Sequence, residues 1–181
     1  MTVIYSIGHG NRDIDAFVGL LRSAGIQCVV DVRAYPGSRR HPQFSRLALA
    51  PVLNAGGIRY VWEGDALGGL RRSRGESPHG ALDDAAFRGY ADHMQSPTFR
   101  NALGRLHAAA RQRPTVFMCA EANPHHCHRA FIADALRVGG TEVLHLMAQK
   151  DVRRHVMHES ARIGPDGQLV YDACLQLGLA L

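Results

Sequence analysis

Lysine is almost missing from this chain: of 21 basic residues only Lys150 is not an arginine. That shortage removes the lysine-bearing phosphate loop from consideration, because Gly68-Gly69 is followed by no Lys-Ser/Thr pair. Long apolar runs are missing too; none approaches the ~20 residues a bilayer span requires, so no membrane partner is expected. The first ten residues, MTVIYSIGHG, lack the basic-then-apolar pattern of a signal peptide, which argues for the cytoplasm. Cysteine is scarce: Cys28, Cys119, Cys127 and Cys174 are too few and too far apart for a disulfide framework. Cys28, in an apolar run, and Cys174, in an expected C-terminal helix, read as buried structural thiols. No repeat, low-complexity tract or linker divides the chain, so residues 1–181 read as one domain.

What is present fits a globular protein, with 46% hydrophobic and 20% charged residues. A net charge of +5 favours anionic partners, a small molecule or nucleotide first and nucleic acid second. The competing reading is a solvated arginine surface. Aromatic residues do not interleave with the arginines, which counts against stacking single-stranded bases.

In chain order, strands are expected at 3–7, 26–32, 58–63, 115–118, 141–147 and weakly at 168–171. Helices are expected at 13–24, 45–54 (with Pro51 kinking or ending it), 83–94, 96–111, 130–136 and 151–161. The Gly64–Gly80 segment, rich in Gly, Arg and Ser, reads as a loop and a lid. Buried strands alternating with helices predict an α/β fold. It has a mainly parallel sheet of about five strands, helices on both faces, and a Rossmann-like or rhodanese-like arrangement.

Such sheets bind ligands beyond the C-terminal ends of their strands, and polar residues gather there. His9 follows the first strand, Asp31 and Arg33 close the second, Glu63 closes the third, and Cys119 and Glu121 follow the organising strand. Residues 115–138 carry two thiols, three imidazoles, a carboxylate and a guanidinium between a strand and a helix. In one reading Cys119 is the nucleophile or redox thiol of a transferase or hydrolase, with His9 or His128 handling protons. Glu121 and Asp31 then orient these groups. Arg33, Arg39 and Arg129 hold an anion, with Ser38, Gly68, Gly69 and Cys127 beside it. A second reading is a zinc or iron hydrolase using Cys119, Cys127, His125 and His128. The spacing demands no metal, and the cofactor stays open. A third is a binding module for nucleotides or nucleic acid without catalysis. His155 and His158 read as surface residues of the last helix. The bland alternative for Asp31 and Arg33, two apart on one strand face, is a structural ion pair.

Cys119 and Arg129 stand too far apart for the tight Cys-to-Arg cradle of phosphatase-like and rhodanese-like loops, although Asp31-Val32-Arg33 is similar to a rhodanese-like strand end. Taken together, Ser6-Ile7-Gly8-His9-Gly10-Asn11, Asp31-Val32-Arg33-Ala34-Tyr35-Pro36, Ser38-Arg39, Leu67-Gly68-Gly69, Cys119-Ala120-Glu121 with Pro124, and Cys127-His128-Arg129 resemble the motifs of one family. It is catalogued as domain of unknown function number 488. The resemblance runs from about Ile4 to Tyr171 and departs at Gly10, where members often carry Ser. It implies an α/β fold and a clustered polar site, and no particular reaction. The sequence leaves the oligomeric state open.

Overall fold

Val3–Gly8 (β1), Cys28–Asp31 (β2), Arg59–Trp62 (β3), Thr115–Cys119 (β4) and Glu142–Ala148 (β5) run parallel in one sheet. The computed structural model describes residues 2–37, 39–72 and 75–172. Strand order is β3-β2-β4-β1-β5, with Asp151–Arg154 (β6) added at the β5 edge. Helices Ile14–Ser23 (α1), Arg46–Ala55 (α2), Gly64–Leu67 (α3), Ala85–Met94 (α4), Pro97–Gln112 (α5) and Arg129–Val138 (α6) fill the crossovers.

Period-two alternation splits the core in two. Ile7, Val29, Val116 and Met118 pack against Phe17 and Leu21 of α1 and Leu49 and Leu53 of α2. Ile4, Val30, Phe117 and Cys119 face the other way, toward Tyr90 of α4, Phe99 and Leu106 of α5, and Phe131 and Ile132 of α6. Serine, aspartate or proline marks most helix starts: Asp13, Ser45, Asp84 and Ser96 accept from backbone amides, and Pro97 opens α5. Pro51 lies inside α2 without ending it; it sits on the exposed side, where the backbone bond it forgoes leaves a carbonyl near solvent.

The sheet's order fixes where a site can form. From β1 the chain crosses to β2 on one face, and from β4 it crosses to β5 in the opposite direction on the other face. The loops after β1 and β4, which are neighbouring strands, therefore diverge. That divergence is the topological switch point of an open α/β sheet.

Two expectations change. The segment 151–161 is not a helix: β6 pairs antiparallel with β5, and Ala161–Ile163 (β7) pairs with Leu169–Tyr171 (β8) across a turn closed by Gly167 at φ 76°. The open edge of β5 supplies the partner, and Asp151 and Arg153 pair on one strand face at 2.7 and 2.8 Å. The sixth strand is thus antiparallel, so not every strand points one way. The Gly64–Gly80 segment is also not all loop, since α3 opens it. The expected C-terminal helix and Cys174 lie outside the described residues. Among these, no helix is long and apolar enough to cross a membrane.

Candidate functional site at the switch point

The two diverging loops are stitched together before they part. His9 N–H donates to the Cys119 carbonyl at 3.0 Å and Gly10 N–H to that of Ala120 at 2.9 Å, extending the β1–β4 ladder. Gly8 packs directly on the Glu121 carbonyl, a place with no room for a Cβ. Beyond it, the carboxylate of exposed Glu121 accepts from Asn123 N–H at 3.1 Å, and the Asn123 side chain caps a 3-10 turn over Pro124–His126. Glu121 thus shapes a turn. The turn carries Cys127 and His128 back over Cys119, and α6 starts at Arg129.

The result is a buried thiol–imidazole cluster. His128 Nδ1 lies 3.6 Å from Cys127 Sγ and 3.9 Å from Cys119 Sγ, and the three ligand atoms fall within 4.8 Å of one another. His128 Nε2 is 3.1 Å from the Val32 carbonyl, an acceptor only. Nε2 therefore carries the proton, and the Nδ1 lone pair faces the sulfurs. Hydrogen bonding from Cys119, with His128 and Arg129 nearby, pushes the Cys127 thiol well down, while that bond and burial push Cys119 well up.

Leu67-Gly68-Gly69 closes over this cluster. A Cβ at Gly69 would stand 2.6 Å from His128 Nδ1, and Gly68 packs on Ala34 and the Gly64 carbonyl. Tyr90 Oη donates to the Leu67 carbonyl at 2.8 Å and its ring lies 5.3 Å from that of His128. Both glycines are needed for this approach.

Beside the cluster, Asp31 and Arg33 form a bidentate pair, Nε to Oδ1 at 2.8 Å and Nη2 to Oδ2 at 2.6 Å. Tyr60 Oη donates to Asp31 Oδ2 at 2.5 Å, and Arg33 Nη2 also donates to the Phe44 carbonyl at 2.8 Å. His9 stacks on Phe44 at 4.2 Å; its Nδ1 donates to the Gly10 carbonyl at 2.8 Å, so Nε2 accepts from Arg33 Nη1 at 3.4 Å. Burial holds His9 down to about 4. Arg129, fully enclosed, donates to Ser6 Oγ at 2.9 Å and to the Glu121 and Ala122 carbonyls. Arg33 and Arg129 thus spend most of their donors inside the protein, Arg33 on the Asp31 that its spacing allows and on the Phe44 carbonyl, Arg129 on Ser6 and two carbonyls that the sequence does not reveal. Arg39 is exposed on the loop after β2, and Ser38 lies outside the described residues.

Of the four metal-ligand candidates, Cys119, Cys127 and His128 converge and His125 does not. His125 is exposed on the 3-10 turn, its ring 6.4 Å from that of His145.

A second polar cluster escapes sequence reasoning. His155 is buried, contrary to the surface expectation, because β6 carries it under the sheet edge. Its Nε2 meets Asp134 Oδ1 at 2.7 Å and its Nδ1 meets His145 Nε2 at 3.0 Å; His145 Nδ1 meets Ser6 Oγ at 3.1 Å. The ends fix the tautomers. Arg129 only donates and a carboxylate accepts, so each proton points from Arg129 through Ser6, His145 and His155 to Asp134. Tyr171 Oη and His158 N–H complete Asp134 at 2.9 and 3.3 Å. Asp134, between two alanines and inside the apolar stretch 130–136 of α6, was the one available signal.

The family described as domain of unknown function DUF488 matches residues 13–136. No curated protein and no solved structure matches the chain.

Proposed function

We propose that this chain, which belongs to the family described as domain of unknown function DUF488, is an enzyme that acts on an anionic substrate bearing a phosphate or a nucleotide. Its reactive centre is Cys119, Cys127 and His128. One observation carries the reading: two sulfurs and an imidazole nitrogen, all buried, converge within 4.8 Å at the switch point of the sheet. A soft donor set of two thiols and an imidazole whose free nitrogen faces both sulfurs is suited to chemistry as well as to packing.

The anion preference is supported by the net charge of +5, by exposed Arg39 on the adjoining loop, and by the positive end of the α6 dipole beside the cluster. Arg33 and Arg129 act as walls: one is fixed by Asp31, the other ties down the 121–122 carbonyls. The Leu67-Gly68-Gly69 strap lifts to admit the substrate. The cytoplasm suits the centre, because Cys119 and Cys127 are free thiols and a reducing compartment keeps them so.

The test is a panel of phosphate monoesters, diesters and nucleotides, assayed for turnover with the wild type and with Cys119→Ser, Cys127→Ser and His128→Ala. At least one compound is expected to turn over, and loss of any of the three groups lowers the rate by ~10²-fold or more. Absence of turnover across the panel, or turnover that survives all three substitutions, overturns the reading.

A further inference from the structure

We infer that Cys119, Cys127 and His128 bind one zinc(II) ion, with its fourth coordination position left to water or to the substrate anion. This deepens the reading above and rests on it, because it supplies the reactive centre with its electrophile.

The argument is geometric. As hydrogen bonds, the contacts around His128 Nδ1 are poor: a single lone pair faces two sulfurs, at 3.6 and 3.9 Å. As edges of a coordination tetrahedron they fit. Zinc bonds of about 2.3 Å to sulfur and about 2.0–2.1 Å to nitrogen imply sulfur–nitrogen edges of about 3.6 Å. The three donor atoms all lie within 4.8 Å of one another.

The surroundings agree with a ligand set. Metal-bound histidines hold their other ring nitrogen on a carbonyl or carboxylate, and His128 Nε2 donates to the Val32 carbonyl at 3.1 Å. Tyr90 packs its ring against the imidazole at 5.3 Å and fixes the plane. All three residues are at most 8% exposed, so water competes little for the ion. Two thiolates and an imidazole are soft donors that select zinc over magnesium or calcium. Two thiolates also neutralise the ion, which suits a centre flanked by Arg33 and Arg129. Among the described residues, no fourth Cys, His, Asp or Glu joins the group. Three protein ligands and one open position mark a catalytic rather than a structural zinc site. The Gly68–Gly69 strap lies over His128 and controls access to that position.

The experiment is cobalt(II) titration of the reduced, chelator-treated full chain, followed by displacement with zinc. One cobalt per chain is expected, with the strong visible bands of a tetrahedral ion and a thiolate-to-metal charge-transfer band. Cys119→Ser, Cys127→Ser and His128→Ala each weaken binding by more than the ~10–100-fold that a lost outer-shell partner costs; Cys28→Ser leaves it unchanged. Should a variant not fold, peptide-resolved alkylation of the wild type locates the ion: added zinc shields Cys119 and Cys127 and spares Cys28. A folded wild type that binds no cobalt overturns the inference, as does binding that survives all three ligand substitutions. Turnover without metal would remove the zinc and keep the enzyme; metal without turnover would do the reverse.

Discussion

Two histidine clusters flank the start of α6, and they are built on opposite principles. Around His145 and His155 every nitrogen has a partner, at 2.7 to 3.1 Å, and the chain of protons from Arg129 to Asp134 runs one way. Around His128 the partners are two sulfurs, at 3.6 and 3.9 Å, that share one nitrogen. Apart from the buried Arg129 Nε, which has no partner among the described residues, the donors and acceptors of this network match, and it is spent on holding the fold. It links α6, β5 and the segment after β6 to β1, and it steadies the buried Arg129 guanidinium through Ser6. The thiol cluster keeps its valence open. The contrast teaches where to look for chemistry: a row of buried histidines counts for less than one imidazole lone pair shared between two thiols.

Breaking the closed network has the largest expected effect. Asp134→Ala leaves His155, Tyr171 Oη and the His158 amide without their common acceptor. It should lower unfolding free energy by ~3–5 kcal/mol, read by urea titration; a loss under ~1 kcal/mol would mean that water replaces the carboxylate and that the network is not structural.

Gly69→Ala comes next and acts on the open cluster. Its methyl would stand 2.6 Å from His128 Nδ1, so the strap or the ring must shift. A cost of ~1–3 kcal/mol is expected, together with faster alkylation of Cys127. Unchanged stability and labelling would show that the strap does not seal the cluster.

Acid sharpens the same comparison. Burial lowers His145 from 6.5 to about 3, with His155 and Arg129 adding to the effect, and lowers His9 from 6.5 to about 4. The unfolded chain therefore binds protons that the folded one refuses. Their contribution to stability is complete above about pH 6.5 and is lost as pH falls toward 4 and then 3. In a urea series over that window, His145→Gln should show a shallower decline than the wild type. Parallel curves would place the acid sensitivity elsewhere.

Much of the comparison was legible in the sequence, though unevenly. Strands β1 to β5 declare themselves as short apolar runs, and a parallel sheet gathers their C-terminal ends, so His9, Asp31, Arg33 and Cys119 could be assigned to one edge. Asp31 and Arg33, two apart, share a strand face and form the ion pair that spacing allows. By contrast, β6 exists because the β5 edge offers a partner, and the His- and Arg-rich segment 151–161 on its own reads as a helix. His155 looks like a surface residue until that strand buries it. The convergence of Cys119 with Cys127 depends on a 3-10 turn capped by Asn123, which no ligand-spacing motif encodes. Arg33 and Arg129 have the composition of an anion clamp, but most of their donors go to Asp31, Ser6 and backbone carbonyls that only tertiary structure brings within reach.

The most direct test sets one substitution from each cluster side by side, Cys127→Ser and Asp134→Asn, measuring urea unfolding and cobalt(II) binding for both. The account predicts a crossing. Cys127→Ser should stay within ~1 kcal/mol of the wild type and lose the thiolate-to-cobalt band. Asp134→Asn should lose stability and, at low urea, keep the band. If both variants lose the same property, or if Cys127→Ser binds cobalt as the wild type does, the division between a closed structural network and an open reactive centre is wrong.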